Sequence, residues 1–536
     1  MTLEEVDIAV IGGGLGGVAA ALAALRQGWT VLLSEETEWL GGQLTAQAVP
    51  PDEHPWIEQF GCTKSYRALR DGIRAYYRSW YPLTAEAYND RWLNPGAGRV
   101  SKLCHEPRVG LAVIEAMLAP YRATGRLRVR TGCRPVAADV DGDRVRSVLL
   151  RDAAGDTAEV TAGYVLDATE TGELLPLTGT EYVTGFEAAA ETSEPHGAAQ
   201  AQPLNMQAVS VCLVVDHRAG EDHTIDRPAN YAFWRDYQPS YWPDRLLSWT
   251  APDPRTLEPV TRQFLPNPDD RSAHMFADQS KDAGDKELWT FRRIAARRTF
   301  TEGFLASDTC LVNWPMIDYL AGPIFEVDDA EAARHVAGAR ELSLSMLYWM
   351  QTEAPRADGG TGFPGLRPRG DLIGTTDGLA LAPYVRESRR IRAKYTVVEQ
   401  DLSLTVRGNH GAVRYEDSVG VGSYRIDLHP STGGDNYIDV AGSPFEIPLR
   451  SLVPVRMRNL LPAAKNIGTT HITNGCYRLH PVEWNIGEVA GTLAAFCLSD
   501  GHTPEEVADK PEVFAELQRL LHHVGVETRW PEIEGY

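Results

Sequence analysis

The opening of the chain constrains its fold most. Val6-Asp7-Ile8-Ala9-Val10-Ile11 is apolar and β-branched, the composition of a strand. Gly12-Gly13-Gly14-Leu15-Gly16-Gly17 follows and places Gly12, Gly14 and Gly17 in the spacing GxGxxG. Residues 18–27 are rich in Ala and Leu and read as a helix that Gly28 can end. Residues 29–33 read as a second strand running into Ser34 and Glu35. Strand, glycine turn, helix and strand in this order form the first half of a dinucleotide-binding unit. Gly12 makes the turn, Gly14 lets the backbone approach a pyrophosphate, and Gly17 lets the helix lie close to the strand. Leu15 and Gly16 open the helix, where unpaired N–H groups and a partial positive charge favour phosphate. Glu35 lies 23 residues after Gly12 and, with Glu36 beside it, offers a carboxylate to ribose hydroxyls.

Residues 8–25 also have the apolarity of a signal peptide or membrane helix. Glu4, Glu5 and Asp7 stand where a signal peptide would be positive, glycines interrupt the run, and Arg26 and Gln27 end it. A cytoplasmic protein with no membrane contact is expected. Asp and Glu outnumber Lys and Arg by 73 to 52, a net charge of −21 that repels phosphate backbones, so no nucleic-acid partner is expected. Cys62, Cys104, Cys133, Cys212, Cys310, Cys476 and Cys497 never stand as CxxC, which argues against a disulfide framework or a metal site. At 536 residues the chain is long enough for two to four domains.

Further strand-like segments follow at 127–130 and 144–150, with Asp141-Gly142-Asp143 as a turn. Residues 157–161 and 164–166 read as two short strands, the second entering Asp167-Ala168-Thr169-Glu170-Thr171-Gly172. Near the C-terminus, Val482, Ile486, Val489, Leu493 and Phe496 have helical spacing, and Gly501 can close that helix.

The glycine motif alone leaves FAD and NAD both open. A second loop, Leu40-Gly41-Gly42-Gln43-Leu44-Thr45, resembles the glutathione-reductase-like group of FAD enzymes, in which a glycine pair runs beside the pyrophosphate towards the flavin. Residues 65–70, 100–107, 386–390 and 447–452 extend the resemblance over most of the chain, to the FAD-dependent oxidoreductase family also labelled xanthan-lyase-like, a label that describes no activity. The resemblance implies FAD as cofactor. It implies that a main-chain amide near Val136 meets the adenine, and that Ala168 and Thr169 pass near the adenosine and pyrophosphate. Two departures stand out: Glu170-Thr171 separates Thr169 from Gly172, and Ala464-Lys465-Asn466 replaces the usual Gly-Asp at the ribityl chain. Asn466 is the ribityl candidate, and Asn485, Ile486 and Gly487 open a helix expected to face the flavin.

The implied fold is α/β: a discontinuous, glutathione-reductase-like Rossmann FAD domain from 1–185 and 445–505, with an inserted α+β substrate domain over 186–444. Residues 506–536 form a helical tail, and 251–287 read as a surface excursion.

For catalysis, hydride transfer to flavin N5 needs a base for the accompanying proton. His480 and His471 are the candidates, with Glu483 beside them to orient the flavin or a histidine. Arg478 serves either a substrate carboxylate or a pairing with Glu483. Arg386, Arg389 and Arg390 with Glu387 read as a buried ion-pair network or an anion clamp. His105 and Glu106 can cap a helix starting near Pro107. Cys62 and Cys104 raise the idea of a covalent flavin, which their spacing does not require. Tyr231, Phe233, Trp234, Tyr237, Tyr241, Trp242 and Trp249 are core or an aromatic wall.

The leading expectation is an FAD-dependent oxidoreductase, an oxidase or dehydrogenase. It would oxidise a small organic substrate at a C–OH or C–NH centre, in biosynthesis of a secondary metabolite or on a glycoside. O2 or another acceptor would reoxidise it, and a homodimer is the base-rate expectation. The alternatives are an alkene reductase fed by a partner and a non-catalytic redox-sensing flavoprotein.

Overall fold

The computed structural model describes residues 2–269, 287–531 and 533. Strand β1 (Thr2–Ile11) runs into helix α1 (Leu15–Arg26), and β2 (Val31–Ser34) follows. β1 pairs in parallel with β2, from Ile8 opposite Val31 to Ile11 opposite Ser34. On its other edge β1 pairs in parallel with β6 (Thr157–Asp167). β3 (Leu127–Arg130) extends the sheet beyond β2, and β7 (Leu460–Pro462) joins it beside the last residues of β6. The ends of the chain therefore meet in one sheet. These strands are uninterrupted apolar runs because both faces of a parallel sheet are covered.

β4 (Cys133–Asp141) and β5 (Arg144–Asp152) form an antiparallel meander on the first half of β6. The two short strands expected at 157–161 and 164–166 are one continuous strand. Its first half pairs with β5 and its whole length with β1, so no break is needed between them.

Helix α2 (His480–Asp500) packs along α1. A Cβ on Gly487 would lie 2.0 Å from the Gly16 carbonyl oxygen, and one on Gly491 would lie 2.2 Å from that of Ala20. These glycines let the two helices touch.

The middle of the chain has its own core. A four-stranded antiparallel sheet holds Arg293–Ala295, Thr309–Val312, Leu213–His217 and Leu366–Pro368 in that order, beside a long helix, Asp329–Thr352. Tyr231, Trp234, Trp242 and Trp249 are buried in this core, while Phe233 is exposed, so the aromatic run is packing rather than a wall. Val397, Leu402, Val419, Ile426, Leu428 and Val440 pack instead with the sheet-bearing core, so packing crosses the boundary expected at 444. Helices Pro504–Asp509 and Pro511–Val524 also join that core, through Val507, Phe514, Leu517 and Leu521. In the stretch expected as an excursion, Thr250–Pro252 pairs with Pro259–Thr261, and residues 270–286 lie outside the described residues.

Helix Pro107–Ala123 starts where expected, but neither His105 nor Glu106 caps it: the Glu106 carboxylate accepts from the Tyr77 hydroxyl at 2.9 Å. All seven cysteines are buried and free. Among the described residues no helix is long and apolar enough to cross a membrane.

Candidate functional site

The C-terminal ends of β1, β2 and β6 converge on a cleft of about 670 Å³, the place where open α/β sheets bind ligands. One wall is Gly12, residues 34–37, residues 133–135 and residues 168–171. The other wall comes from the middle of the chain. Ala332, Ala333, Val336 and Ala337 form one small-residue face of the long helix, joined by Arg340 and residues 381–383. Gly12 makes the turn at φ +103°, and a Cβ there would lie 2.2 Å from the Ala168 carbonyl oxygen. The β4–β5 register slips between Pro135 and Ala137, leaving Val136 as a bulge residue outside the ladder, next to Pro135 of the cleft wall.

Glu35 lines this cleft. Its carboxylate accepts from the Gly13 N–H at 2.9 Å and from the Thr37 N–H and hydroxyl at 2.9 and 2.8 Å. Burial, with neighbouring carboxylates adding, nevertheless raises it to about 8. Asp167, at the end of β6, is raised by burial to about 6. Glu36 lines the rim. The folded chain thus keeps protons that an unfolded chain gives up near 4.5 and 3.8. These two groups therefore contribute stability to the ligand-free protein that is lost as pH rises, from about 4 to 6 for Asp167 and from about 4.5 to 8 for Glu35, whereas the buried histidines His54, His105 and His480, which burial lowers, act in the opposite sense below about 6.5. The limiting slope is about 1.4 kcal/mol per pH unit per group. Urea unfolding across this range checks it: above about pH 6, where Glu173 also contributes, Glu35→Gln should lose stability less steeply than wild type, and a variant whose slope matches wild type there contradicts the account.

A polar cluster lies beside Gly14. Lys465 Nζ pairs with Glu170 and stands 3.9 Å from Glu483. Glu483 accepts from Gln43 Nε2 and, at 3.3 Å, from the Gly16 N–H that opens α1. Burial opposes the charge on Lys465, but Glu170 and Glu483 outweigh it and hold the ammonium above its ordinary range. Burial pushes Glu483 up. Glu170 also lies against Gly42, whose Cβ would meet it at 2.7 Å. The Gly41 N–H donates to the Gly13 carbonyl at 2.7 Å, tying the second glycine loop to the first, and Leu44 is buried below. Glu170 and Lys465 are the two positions at which the sequence departs from the family pattern, and they are each other's partner across 295 residues. Neither stood among the expected site residues.

Several expected site residues have other work. His480 Nε2 meets the Val49 carbonyl at 3.2 Å and Nδ1 accepts the Asp52 N–H at 3.1 Å, so neither nitrogen is left for a substrate. Burial holds this ring down to about 4. His480 anchors the 49–52 loop, which corrects its expected role as a base. Asn466 staples β7 to β6: Nδ2 donates to the Asp167 carbonyl at 3.0 Å and Oδ1 accepts the Ala464 N–H at 3.2 Å. Asn485 lies against Gly420 and donates to the Val419 carbonyl at 3.4 Å, so it faces a strand. Ile486 is buried in the core between them. Ala168 and Thr169 stay at the cleft, with Thr169 bound to Asp167 through its hydroxyl at 2.7 Å.

Arg478 does not pair with Glu483. It donates to the Tyr384 hydroxyl at 2.8 Å and stands 3.5 Å from Asp427. His471 stacks on Phe186 and its Nδ1 meets Glu387 at 3.0 Å. Glu387 also binds Arg390 at 2.6 Å, Arg389 binds Glu326 at 2.6 Å, and Arg386 reaches Asp318 at 3.1 Å, so these charges form the buried network rather than a clamp. Burial raises Cys62 and Cys104 to about 12, which leaves protonated thiols unsuited to a covalent link.

A second cavity, of about 170 Å³, opens beside Asp52 and Asp427 and is also lined by Arg292, Asn313, Trp314, His429 and Tyr437. Its neighbours Arg478 and His480 belong to the segment entering α2. His429 Nδ1 meets Asp318 at 2.6 Å. Burial and the Arg386 charge lower His429, so the ring is neutral near pH 7. Burial alone would raise Asp318, but Arg386, His429 and the Ser210 hydroxyl outweigh it and hold it down as the carboxylate. A neutral imidazole donating Nδ1–H to a fixed carboxylate carries its lone pair on Nε2, the arrangement of a general base. The sequence carries no local sign of this pair, since residues 318 and 429 stand far apart in unrelated segments.

The model of the family described as FAD dependent oxidoreductase matches residues 7–521. An FAD-dependent monooxygenase, ntnJ, of Nectria sp is 29% identical over 26% of this chain and 31% of its own length. A 3-hydroxybenzoate 6-hydroxylase of Polaromonas naphthalenivorans (strain CJ2) is 25% identical over 31% of this chain and 46% of its own. The chain thus spans about a third to a half of the length of these relatives. Among solved structures, the flavin-dependent monooxygenase PieE in complex with FAD and substrate aligns with 18% identity and a TM-score of 0.24, over 40% of this chain and 35% of that one.

Proposed function

The chain belongs to the FAD dependent oxidoreductase family and is an FAD-dependent enzyme, and on that premise we propose that it oxidises a small organic substrate at a C–OH or C–NH centre, with His429 as the base. Bound FAD supplies the hydride acceptor, flavin N5.

The residues present fit this cofactor. Both walls of the cleft would hold the cofactor, and the adenine would lie against the Cys133–Pro135 wall, next to the bulge at Val136. Glu35 would take ribose hydroxyls at the cleft, and the N-terminus of α1 beyond Gly14 would face the phosphates. On the substrate side, His429 Nε2 takes the proton from the substrate's oxygen or nitrogen while Asp318 steadies the ring. The observation that carries the reading is this oriented, neutral histidine lining a cavity next to the loop that enters α2.

The relatives favour a second reading, hydroxylation, since one is named a monooxygenase and the other a hydroxylase. Anaerobic mixing of the FAD-loaded protein with candidate substrates separates the two. Bleaching of the visible flavin band by substrate alone supports oxidation. Oxygen incorporation that requires an added reductant supports hydroxylation. His429→Gln should slow bleaching by about a hundredfold or more without changing flavin content; an unchanged rate contradicts its role as base.

A further inference from the structure

We propose that the cavity beside His429 takes a zwitterion, a single-ring amino acid whose carboxylate is held by Arg292 and whose ammonium is held by Asp52. The inference rests on reading this cavity as the substrate's place.

Arg292 follows the short helix Leu288–Phe291, and its Nε and one terminal nitrogen are buried without an acceptor. A guanidinium cannot shed its proton, so burying it without a counter-ion is costly. Asp52 is the converse: its side chain is 8% exposed, its backbone is fixed by His480, and no side-chain donor meets its carboxylate. Both charges line the same cavity, and both act on Tyr384 and Cys104, yet they form no ion pair with each other.

The other charges on this wall have partners: Arg255 stands 4.0 Å from Asp439, and Arg262 donates to the Ala251 and Val260 carbonyls at 3.4 and 3.3 Å. Asp427 faces Arg478 at 3.5 Å, and Asp439 is paired with Arg425. Asp253 accepts the N–H groups of Arg255 and Thr256, each at 2.9 Å. What remains is one positive and one negative group. A ligand that carries only a carboxylate would answer Arg292 and leave Asp52 beside a second anion. A zwitterion answers both, and Arg292 can grip its carboxylate with parallel hydrogen bonds. The buried Trp314 Nε1 and Tyr437 hydroxyl also lack partners and line the same space. A cavity on the order of 150 Å³ holds a benzene-sized guest, so about 170 Å³ suits one ring with short substituents. In the proposed oxidation the C–H bond next to nitrogen loses a hydride and His429 receives the nitrogen's proton once the ammonium has given up its first proton to solvent. The product is an imino acid, and water hydrolyses it to an oxo acid and ammonia.

Calorimetric titration of the FAD-loaded protein with phenylglycine (both enantiomers), phenylacetate and benzylamine tests this. Phenylacetate lacks the ammonium and benzylamine lacks the carboxylate. Phenylglycine should bind about tenfold or more tighter than either. Arg292→Met should bring phenylglycine down to the level of benzylamine, and Asp52→Asn to that of phenylacetate. Wild-type protein that binds phenylglycine no tighter than the singly charged analogues overturns the proposal, whatever the variants do. Tight phenylglycine binding without flavin bleaching would sink the oxidation reading and keep the zwitterion site. Bleaching by uncharged alcohols with no preference for phenylglycine would do the reverse.

Discussion

Gly14→Val is expected to yield a folded protein that has lost its grip on FAD. Gly14 has φ −62° and ψ −172°, a conformation open to any residue. An added Cβ would meet only side-chain ends, Glu170 Oε1 at 2.9 Å and Glu483 Oε1 at 3.5 Å, and these can swing aside. The isopropyl group would still fill the space through which phosphate reaches the N–H groups of α1. Affinity for FAD should fall by about a hundredfold or more, about 2.7 kcal/mol. Gly12→Val is different in kind. There φ is +103° and the obstacle at 2.2 Å is the Ala168 backbone, so fold and cofactor should be lost together. Circular dichroism with flavin-fluorescence titration separates the two variants. Gly14→Val protein that binds FAD within threefold of wild type contradicts the role given to this turn.

The largest loss of stability is expected from Glu387→Ala. One buried carboxylate accepts Arg390 at 2.6 Å, His471 Nδ1 at 3.0 Å and the Gln207 N–H at 3.0 Å. Burial alone would raise it, but His471 and Arg390 outweigh that and hold it at about 2. Its contribution is therefore present above about 4.5 and lost only as pH falls towards 2. Removing the carboxylate leaves Arg390, fully buried, short of an acceptor and His471 without its partner. A broken buried pair of this kind costs about 3–5 kcal/mol. Glu387→Gln keeps an acceptor and should lose less. Urea unfolding near neutral pH measures both, and a loss below about 1 kcal/mol for the alanine variant refutes the network's structural role.

The nucleotide-binding half was legible because its signals are local. An apolar strand, a glycine turn and an Ala-rich helix in sequence leave little freedom, and the helix from His480 announces itself through spacing and a closing glycine. What local pattern cannot display is the partner. His480, Asn466 and Asn485 have the right chemistry for a site, yet each spends its polar atoms on neighbouring backbone. Gly487 has the small side chain a cofactor would want, but Gly16 occupies that space. Arg292, Asp318 and His429 come together only because the middle sheet and the 418–440 segment fold over the same cavity. The two departures from family pattern, Glu170 and Lys465, each looked like a loss of fit. Joined as an ion pair beside Gly14, they are one compensated change. The far wall of the cleft was invisible for a related reason: Ala332, Ala333, Val336 and Ala337 carry no motif, only smallness on one helical face.

The account stands on FAD lying in the cleft between the opening glycines and that helical face. Equilibrium titration of the purified, flavin-stripped chain with FAD, followed by the visible absorption bands, addresses this most directly. Saturation at one FAD per chain, with the bands perturbed from those of free flavin, is the predicted result. A chain that stays colourless in excess FAD would contradict it.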